Sequence, residues 1–531
     1  MVAVIGSPRR RRPTWPTITA TDEPPPLAVV LGASVVAGAA VALSLPPFGW
    51  WALGVVGLGG VALCLRRQPP ARRAAAGAAF GLGQFAIGLW WVTEFNGAGY
   101  VALLVLSMLF MAAAGAAAPA GRPAGVLVGW PAALTLAEWL RGHVPLGGLP
   151  LGGVPLGQAA GPLAPVARLG GALLLTGVTA AAGAGVALLA AAAARRRPAR
   201  PGAGHGARPG WAAVALVAVV VVAGAGRVAP DGGGTGTTIR VAAVQGGGTR
   251  GLHALQTDPA TVFQRQVDAT AALHPPLDLV LWPEDVVTVD QPIAQTPEGA
   301  TIAQLAVRLH ATVVAGIVEN VGSDRFRNAA VAWSPAGTVV ARYDKGHRVP
   351  FGEYIPARGL VRHLANLDLV PRDAIAGRGP GLLDTPAGPF GTVISYEVFF
   401  PDRARAAIRA GGELLLVPTN ASSYRTSQVP TQEVAAAQLR AIETGRDTVQ
   451  AAPTGYSALI DHRGRIRTRS TLGRAEALTG VVTLRRGGTL FVRLGEYPVA
   501  ALAAVALVLA SGLVRRRGHL FPIRSRRASP G

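Results

Sequence analysis

"GTVISYEVFFPD", residues 391–402, puts a serine, a tyrosine and a glutamate at the end of an apolar run, and the helix-like "RARAAIRAGG" follows at once. A short β-branched run with a helical pattern directly behind it reads as a strand-to-helix turn. The Ser395 hydroxyl is then either a presented nucleophile or an ordinary strand cap. The rest of the chain has to decide between them.

Outward from that stretch, residues 238 to 490 alternate strand-like and helical patterns. The strand-like runs are "TIRVAAVQ" (238–245), "LDLVLWPE" (277–284), "TVVAGIVE" (312–319), a hairpin over 328–345, "GTVISYE" (391–397), "ELLLVPT" (413–419) and "TVQAAPTGYSALID" (448–461). Between them lie amphipathic patterns over 259–273, 401–412 and 431–445. Short, nearly continuous apolar strands suit sheets covered by helices, so a layered α/β domain is expected over 238–490.

Three of these runs end in chemically capable residues: Glu284, Lys345 and, nearly at its end, Ser395. Strand ends of one sheet commonly converge on a single pocket. There a glutamate takes the nucleophile's proton and an ammonium stabilises a developing oxyanion. Lys345 is the single lysine in a chain whose Lys and Arg total 50. Arginine serves everywhere else, and a compact ammonium is not interchangeable with a planar guanidinium, so this position points to a site that needs lysine.

The remainder of the chain has a different solvent. With 50% hydrophobic and only 15% charged residues, and a mean hydropathy of +0.37, the 531-residue chain departs from ordinary soluble composition. Apolar runs fill 27–229 and 498–514, and between residues 27 and 230 the only acidic residues are Glu94 and Glu138. The runs predict a membrane helical bundle with spans near 27–46, 51–65, 74–93, 99–119, 124–140, 165–194, 211–229 and 498–514, seven before the α/β domain and one after it. Glu94 and the Glu138/Arg141 pair, near predicted outer ends, read equally as interface anchors and as substrate contacts.

The net charge of +22 resides in arginine clusters that flank the apolar runs: Arg9–Arg12, Arg66–Arg73, Arg195–Arg208 and Arg515–Arg527. That distribution is a positive-inside topology signal and not a nucleic-acid-binding face. Counting spans from a cytoplasmic basic segment, 1–26, puts the α/β domain outside the cytoplasm and the basic tail, 515–531, inside. The count leaves Arg141 on the outer side as an exception. Cys64, the one cysteine, falls in a span and can form no intramolecular disulfide. The histidines and this cysteine show no metal-ligand spacing and no phosphate-binding loop follows a strand, so no metal or cofactor is expected.

"LWPE" (281–284), "YDKGHRVPFGEYIP" (343–356) and "ISYEVFFPD" (394–402), in this order, resemble the three signature blocks of the carbon–nitrogen hydrolase (nitrilase) superfamily. Joined to "SLPPFGWW" (44–51), "LAEWLRG" (136–142) and the flanking spans, they resemble the apolipoprotein N-acyltransferase family over nearly the whole chain. The resemblance implies an extracytoplasmic α-β-β-α sandwich on a bundle of eight transmembrane helices in the cell membrane, working as a monomer. It implies ping-pong transfer of a fatty acyl chain from a phospholipid donor, through an acyl-enzyme, to the α-amine of a diacylated lipoprotein acceptor. Carried onto matching positions, Glu284 becomes the general base, Lys345 the oxyanion stabiliser and Glu353 an additional positioning glutamate, while Tyr396 and Glu397 flank the nucleophile.

The departure falls at Ser395, where the family carries cysteine. A hydroxyl is far less acidic than a thiol and needs a well-placed base. Three readings stay open: a working oxygen nucleophile, an altered-function or non-catalytic relative, and a disabling substitution. Outside the family, a membrane-tethered amidase would need the same triad without lipid access, and a catalytically silent protein would bind lipid or lipoprotein without turnover.

Overall fold

A computed structural model of the protein describes residues 25–121, 123–194, 210–248, 257–362, 370–420 and 428–518. The Arg9–Arg12 and Arg195–Arg208 clusters and the arginines beyond residue 518 lie outside the described residues, as do the centres of the 246–258 and 357–381 loops.

Each predicted span coincides with a helix: Leu27–Ser44, Trp51–Leu65, Pro70–Gly88, Gly97–Ala117, Pro123–Arg141, Ala167–Ala194, Gly210–Val228 and Tyr497–Gly518. Among the described residues, four helical stretches are long and apolar enough to cross a bilayer: Leu27–Ser44, Gly97–Ala117, Ala164–Ala194 and Gly210–Val228. Trp51–Leu65 and Tyr497–Gly512 are shorter apolar helices. Val214, Val217, Val220 and Val221, and likewise Leu502, Val505, Val508 and Leu509, are exposed. Their helical spacing makes apolar outer stripes, which suit hydrocarbon and not water. Trp50, Trp90 and Tyr497 are exposed at one end of the bundle and Trp211 at the other, as interfacial aromatics would be.

Inside the bundle, glycine lets backbones touch. A Cβ on Gly59 would strike the Gly183 carbonyl, and one on Gly183 would strike Val55 and Gly59, so Trp51–Leu65 and Ala167–Ala194 cross with no side chain between them. Gly59→Val is expected to lower stability by roughly 1–3 kcal/mol through overpacking, read as a reduced melting temperature in detergent. An unchanged melting temperature would mean that the crossing is looser than described.

Arg141 ceases to be a topology exception. It is buried, pairs with Glu138 at 2.7 Å, and donates to the carbonyls of Leu149 and Leu151. A guanidinium neutralised in this way reports local packing and not the side of the membrane.

The α/β domain is built from two sheets. One is eight-stranded, with path Glu476–Arg486, Gly233–Gln245, Leu279–Leu281, Thr312–Val321, Arg325–Trp333 and Val339–Asp344. The other is six-stranded, in the order Ile466–Arg469, Ala458–Ile460, Thr448–Ala451, Leu414–Pro418, Gly388–Thr392 and Leu382–Thr385. The run 448–461 is therefore two antiparallel strands and not one, because Pro453-Thr454-Gly455 turns the chain back. Val241, Leu279 and Leu281 of the first sheet share a buried core with Phe390, Leu414 and Leu416 of the second. Helices Pro259–Ala271 and Pro297–Leu309 pack on the outer face of the first sheet. Helices Pro401–Arg409 and Gln428–Thr444 cover the second, which completes an α-β-β-α sandwich.

Gln428–Thr444, read from the sequence as amphipathic over 431–445, is buried on every face. One side lies on the six-stranded sheet and the other on the bundle, where Gln428 and Gln432 donate to the carbonyls of Ile87 and Gly88 at 2.8 and 3.1 Å. Ala167–Ala194 breaks at Gly170–Gly171, and the amide of Ala172 then donates to Glu443 at 2.6 Å. A carboxylate at an exposed helix start is favourable, so the α/β domain caps the break and grips the bundle.

Candidate active site

Glu284 follows strand Leu279–Leu281, and Lys345 follows Val339–Asp344, both in the eight-stranded sheet. Ser395 follows Gly388–Thr392 of the six-stranded sheet. The expectation that all three end strands of one sheet is thus corrected. The strand ends come from two facing sheets and not from one.

The Lys345 ammonium donates to Glu284 at 2.7 Å and to Glu353 at 2.8 Å. Asn328 donates to the same two oxygens at 2.7 and 2.9 Å. The second Glu353 oxygen accepts from the Val349 amide at 2.7 Å. Glu353 is therefore part of the buried network and not a solvated loop charge. Lys345 is 2% exposed. Burial alone would discharge it, but the two carboxylates outweigh that and hold its pKa above the ordinary lysine value. The ammonium stays charged, aimed and dry, and such a charge acts strongly on a developing oxyanion.

Ser395 opens a short helical turn, Ser395–Phe399, with φ of +48°. That is left-handed backbone, rare for a residue with a side chain and strained by about 1–3 kcal/mol. Hydroxyl nucleophiles on strand-to-helix elbows sit in strained turns of this kind, with the oxygen thrust out of the sheet. Glu397 holds the turn. It is fully buried and accepts from the amides of Ile394, Gly346 and His347 at 2.9 Å each and from the Tyr343 hydroxyl at 2.8 Å. With its oxygens occupied by protein donors, Glu397 holds the Lys345 loop against the Ser395 turn. Glu397→Gln puts two N–H groups where donors converge and is expected to cost roughly 2–4 kcal/mol, seen as a lower melting temperature alongside lower activity. Full stability in that variant would remove Glu397 from this clamping role.

Tyr396 is buried against Phe400, with ring centroids 5.0 Å apart, and its hydroxyl donates to the Gly148 carbonyl at 3.2 Å. Burial pushes that hydroxyl's pKa up, so it stays protonated as a link to the bundle-side loop. His347, next but one to Lys345, stacks on Phe400 at 3.7 Å.

The Ser395 oxygen has its hydrogen bonds elsewhere. Among the described residues it meets Glu433 at 3.4 Å and Thr419 at 3.3 Å, and neither Glu284 nor Lys345 bonds it directly. Thr419 donates to the other Glu433 oxygen at 2.7 Å. Burial pushes the Glu433 carboxyl up to about 7; the Thr419 hydrogen bond opposes this, nearby Glu284 adds to it, and Lys345 pulls it down. Sequence reading missed both residues. Thr419 ends the "ELLLVPT" strand as Glu284 and Lys345 end theirs, and the same signal would have found it. Glu433 stands on a helix, where a strand-end search does not reach. Among the described residues, no group of His, Cys, Asp or Glu is arranged to hold a metal ion.

Comparison with known proteins bears on both halves of the chain. Residues 37–185 match the family described as apolipoprotein N-acyltransferase N-terminal domain, and residues 240–489 match carbon-nitrogen hydrolase. A protein of Azotobacter vinelandii named apolipoprotein N-acyltransferase is 31% identical over 524 residues, covering 94% of this chain and 96% of its own. Proteins of the same name from Pseudomonas aeruginosa and Pseudomonas putida are 32% and 30% identical, covering 90% and 89% of this chain and 94% and 95% of their own.

Proposed function

The chain belongs to the apolipoprotein N-acyltransferase family, and from that premise we propose how its own residues carry the transfer. The enzyme moves a fatty acyl chain from a phospholipid to the N-terminal amine of a diacylglyceryl-cysteine lipoprotein. Ser395 attacks the donor's ester carbonyl, and Lys345 stabilises the oxyanion as the carbonyl electrons move onto oxygen. Collapse expels the lysophospholipid, whose oxygen leaves with the proton given up by the Ser395 hydroxyl, and leaves an acyl ester on Ser395. The lipoprotein amine then attacks that ester, Glu284 takes the amine proton, and the amide departs as Ser395 recovers its hydrogen. Glu353 and Asn328 hold Glu284 and Lys345 in register, while Tyr396 and Glu397 hold the turn. The observation that carries this reading is the buried Lys345 ammonium, clamped by two carboxylates at the interface where the strained Ser395 turn arrives.

The same reading makes the eight helices eight crossings of the cell membrane, with the α/β domain outside the cytoplasm and a monomer sufficient for activity. Arg66, Arg67, Arg72 and Arg73 support that topology, since they lie at the end of the bundle opposite the α/β domain. Arg73 caps carbonyls of Gly115 and Ala116 there, at 3.2 and 2.9 Å. Both substrates are membrane lipids, so the site opens sideways to the outer leaflet.

The test is incubation of purified protein with phospholipid and a diacylated lipopeptide, followed by mass spectrometry. A third acyl chain on the peptide amine is expected, with ping-pong kinetics. Hydrolysis of the donor without transfer would favour a tethered hydrolase instead.

A further inference from the structure

We propose that Glu433 is the general base for Ser395, with Thr419 completing a hydroxyl–hydroxyl–carboxylate triangle that substitutes for the acidity of a thiol. The proposal rests on Ser395 being the nucleophile, and it assigns the first proton transfer to a carboxylate other than Glu284.

Geometry separates the two candidates. Glu284 Oε1 is taken by the Lys345 ammonium and by Asn328, both at 2.7 Å. Two donors therefore already occupy that oxygen, and among the described residues Ser395 does not bond to it. Glu433 is 4% exposed and is bonded to Thr419 and Ser395, and among the described residues no cation pairs with it. A buried carboxylate without a counter-ion is costly to keep unless function requires it.

Proton counting shows how the triangle works. Thr419 has one hydroxyl proton and two partners, Glu433 at 2.7 Å and Ser395 at 3.3 Å. With Glu433 ionised, Thr419 donates to Oε2 and Ser395 donates to Oε1. With Glu433 protonated on Oε1, that O–H donates back to the Ser395 oxygen while Thr419 still donates to Oε2. In both arrangements the Ser395 oxygen is hydrogen-bonded, so Glu433 can take the proton and return it without side-chain rearrangement.

The acylation step then balances. A bond forms from Ser395 Oγ to the donor carbonyl carbon while the Oγ proton passes to Glu433 Oε1. The carbonyl π electrons become an oxyanion facing Lys345. On collapse the ester C–O bond breaks, and the lysophospholipid alkoxide leaves with the proton from Glu433. The base near pH 7 arises from burial, and the charged groups that face it are Glu284, which raises its pKa, and Lys345, which lowers it.

A p-nitrophenyl fatty ester isolates this step, because its leaving group needs no proton. The experiment measures the burst of p-nitrophenolate from detergent-solubilised protein against pH, in wild type, Glu433→Gln, Ser395→Cys and the double variant. In wild type the burst rate is expected to rise through about pH 7 and then flatten. Glu433→Gln is expected to slow it by roughly 10²–10⁴-fold and to abolish that limb. In the Ser395→Cys background the same change is expected to cost under about tenfold, since a thiol ionises with little help. Glu433→Gln is also expected to melt no lower than wild type at about pH 8. The folded carboxyl titrates above its unfolded range, so the stability it supports is present at low pH and lost as pH rises through 7.

A Glu433→Gln burst with wild-type rate and limb would overturn the proposal while leaving Ser395 as nucleophile. Equal losses in the serine and cysteine backgrounds would make Glu433 a structural group and overturn it as well. Failure of wild type to place any acyl group on Ser395 would remove both this proposal and the reading beneath it.

Discussion

Ser395→Ala is expected to lower acyl transfer by roughly 10⁴–10⁶-fold, the scale on which loss of a nucleophile acts when the remaining machinery cannot replace it. Folding should be little affected. The hydroxyl contributes one 3.4 Å bond to Glu433 and one 3.3 Å contact with Thr419, and the turn is held by Glu397. Alanine in left-handed backbone carries the strain that serine already carries. The variant should therefore bind phospholipid and melt near the wild-type temperature while transferring nothing. Ser395→Cys is the informative companion. A thiolate is the better nucleophile, and the Lys345 ammonium stands nearby to favour it. Transfer by the cysteine variant at or above the wild-type rate is expected. A silent wild type beside an active cysteine variant would make the serine a disabling change.

Lys345→Met carries the second large effect, on stability and activity together. Removing the ammonium leaves Glu284 and Glu353 facing one another across the space it filled, both still bonded to Asn328. Breaking one side of a buried charge network costs roughly 3–5 kcal/mol. The two carboxylates would then repel one another when both are ionised, and protonation of one relieves that repulsion. Stability of the variant should accordingly be best at low pH and fall as pH rises, so its deficit against wild type is expected to be larger at about pH 8 than at about pH 5. Loss of the oxyanion's counter-charge adds roughly 10²–10³-fold in rate. Lys345→Arg should rescue little, because a planar guanidinium does not fit between two carboxylate oxygens spaced for an ammonium. Thermal melts across pH with parallel transfer assays check this. A flat pH dependence would mean that the network is not the buried charge cluster described.

Much of this site is legible in the amino-acid sequence. Glu284, Lys345 and Glu353 stand in short, chemically loaded stretches, and the single lysine among so many arginines marks its own position. Helix placement is legible as well, because apolar composition over some 20 residues leaves few alternatives. What the sequence leaves hidden is relational. Strand-end residues do not say which sheet they leave, so the meeting of two sheets at Ser395 reads as one. Glu397 sits two residues from Ser395, and adjacency suggests a substrate contact where the fold uses its carboxylate as a clamp. Glu433 lies on an alanine-rich helix whose pattern looks like a solvated face. The fold buries that helix on every side, and Glu433 meets Thr419 and Ser395 inside the α/β domain.

The most direct test of the central claim is mass spectrometry of the enzyme itself after exposure to a phospholipid of defined chain length, with no acceptor present. Trypsin releases residues 379–403, which contain Ser395. The expected result is one acyl chain on that peptide, assigned to Ser395 by fragmentation and discharged when a diacylated lipopeptide is added. An unmodified peptide, or an acyl group retained elsewhere in Ser395→Ala, would contradict the account.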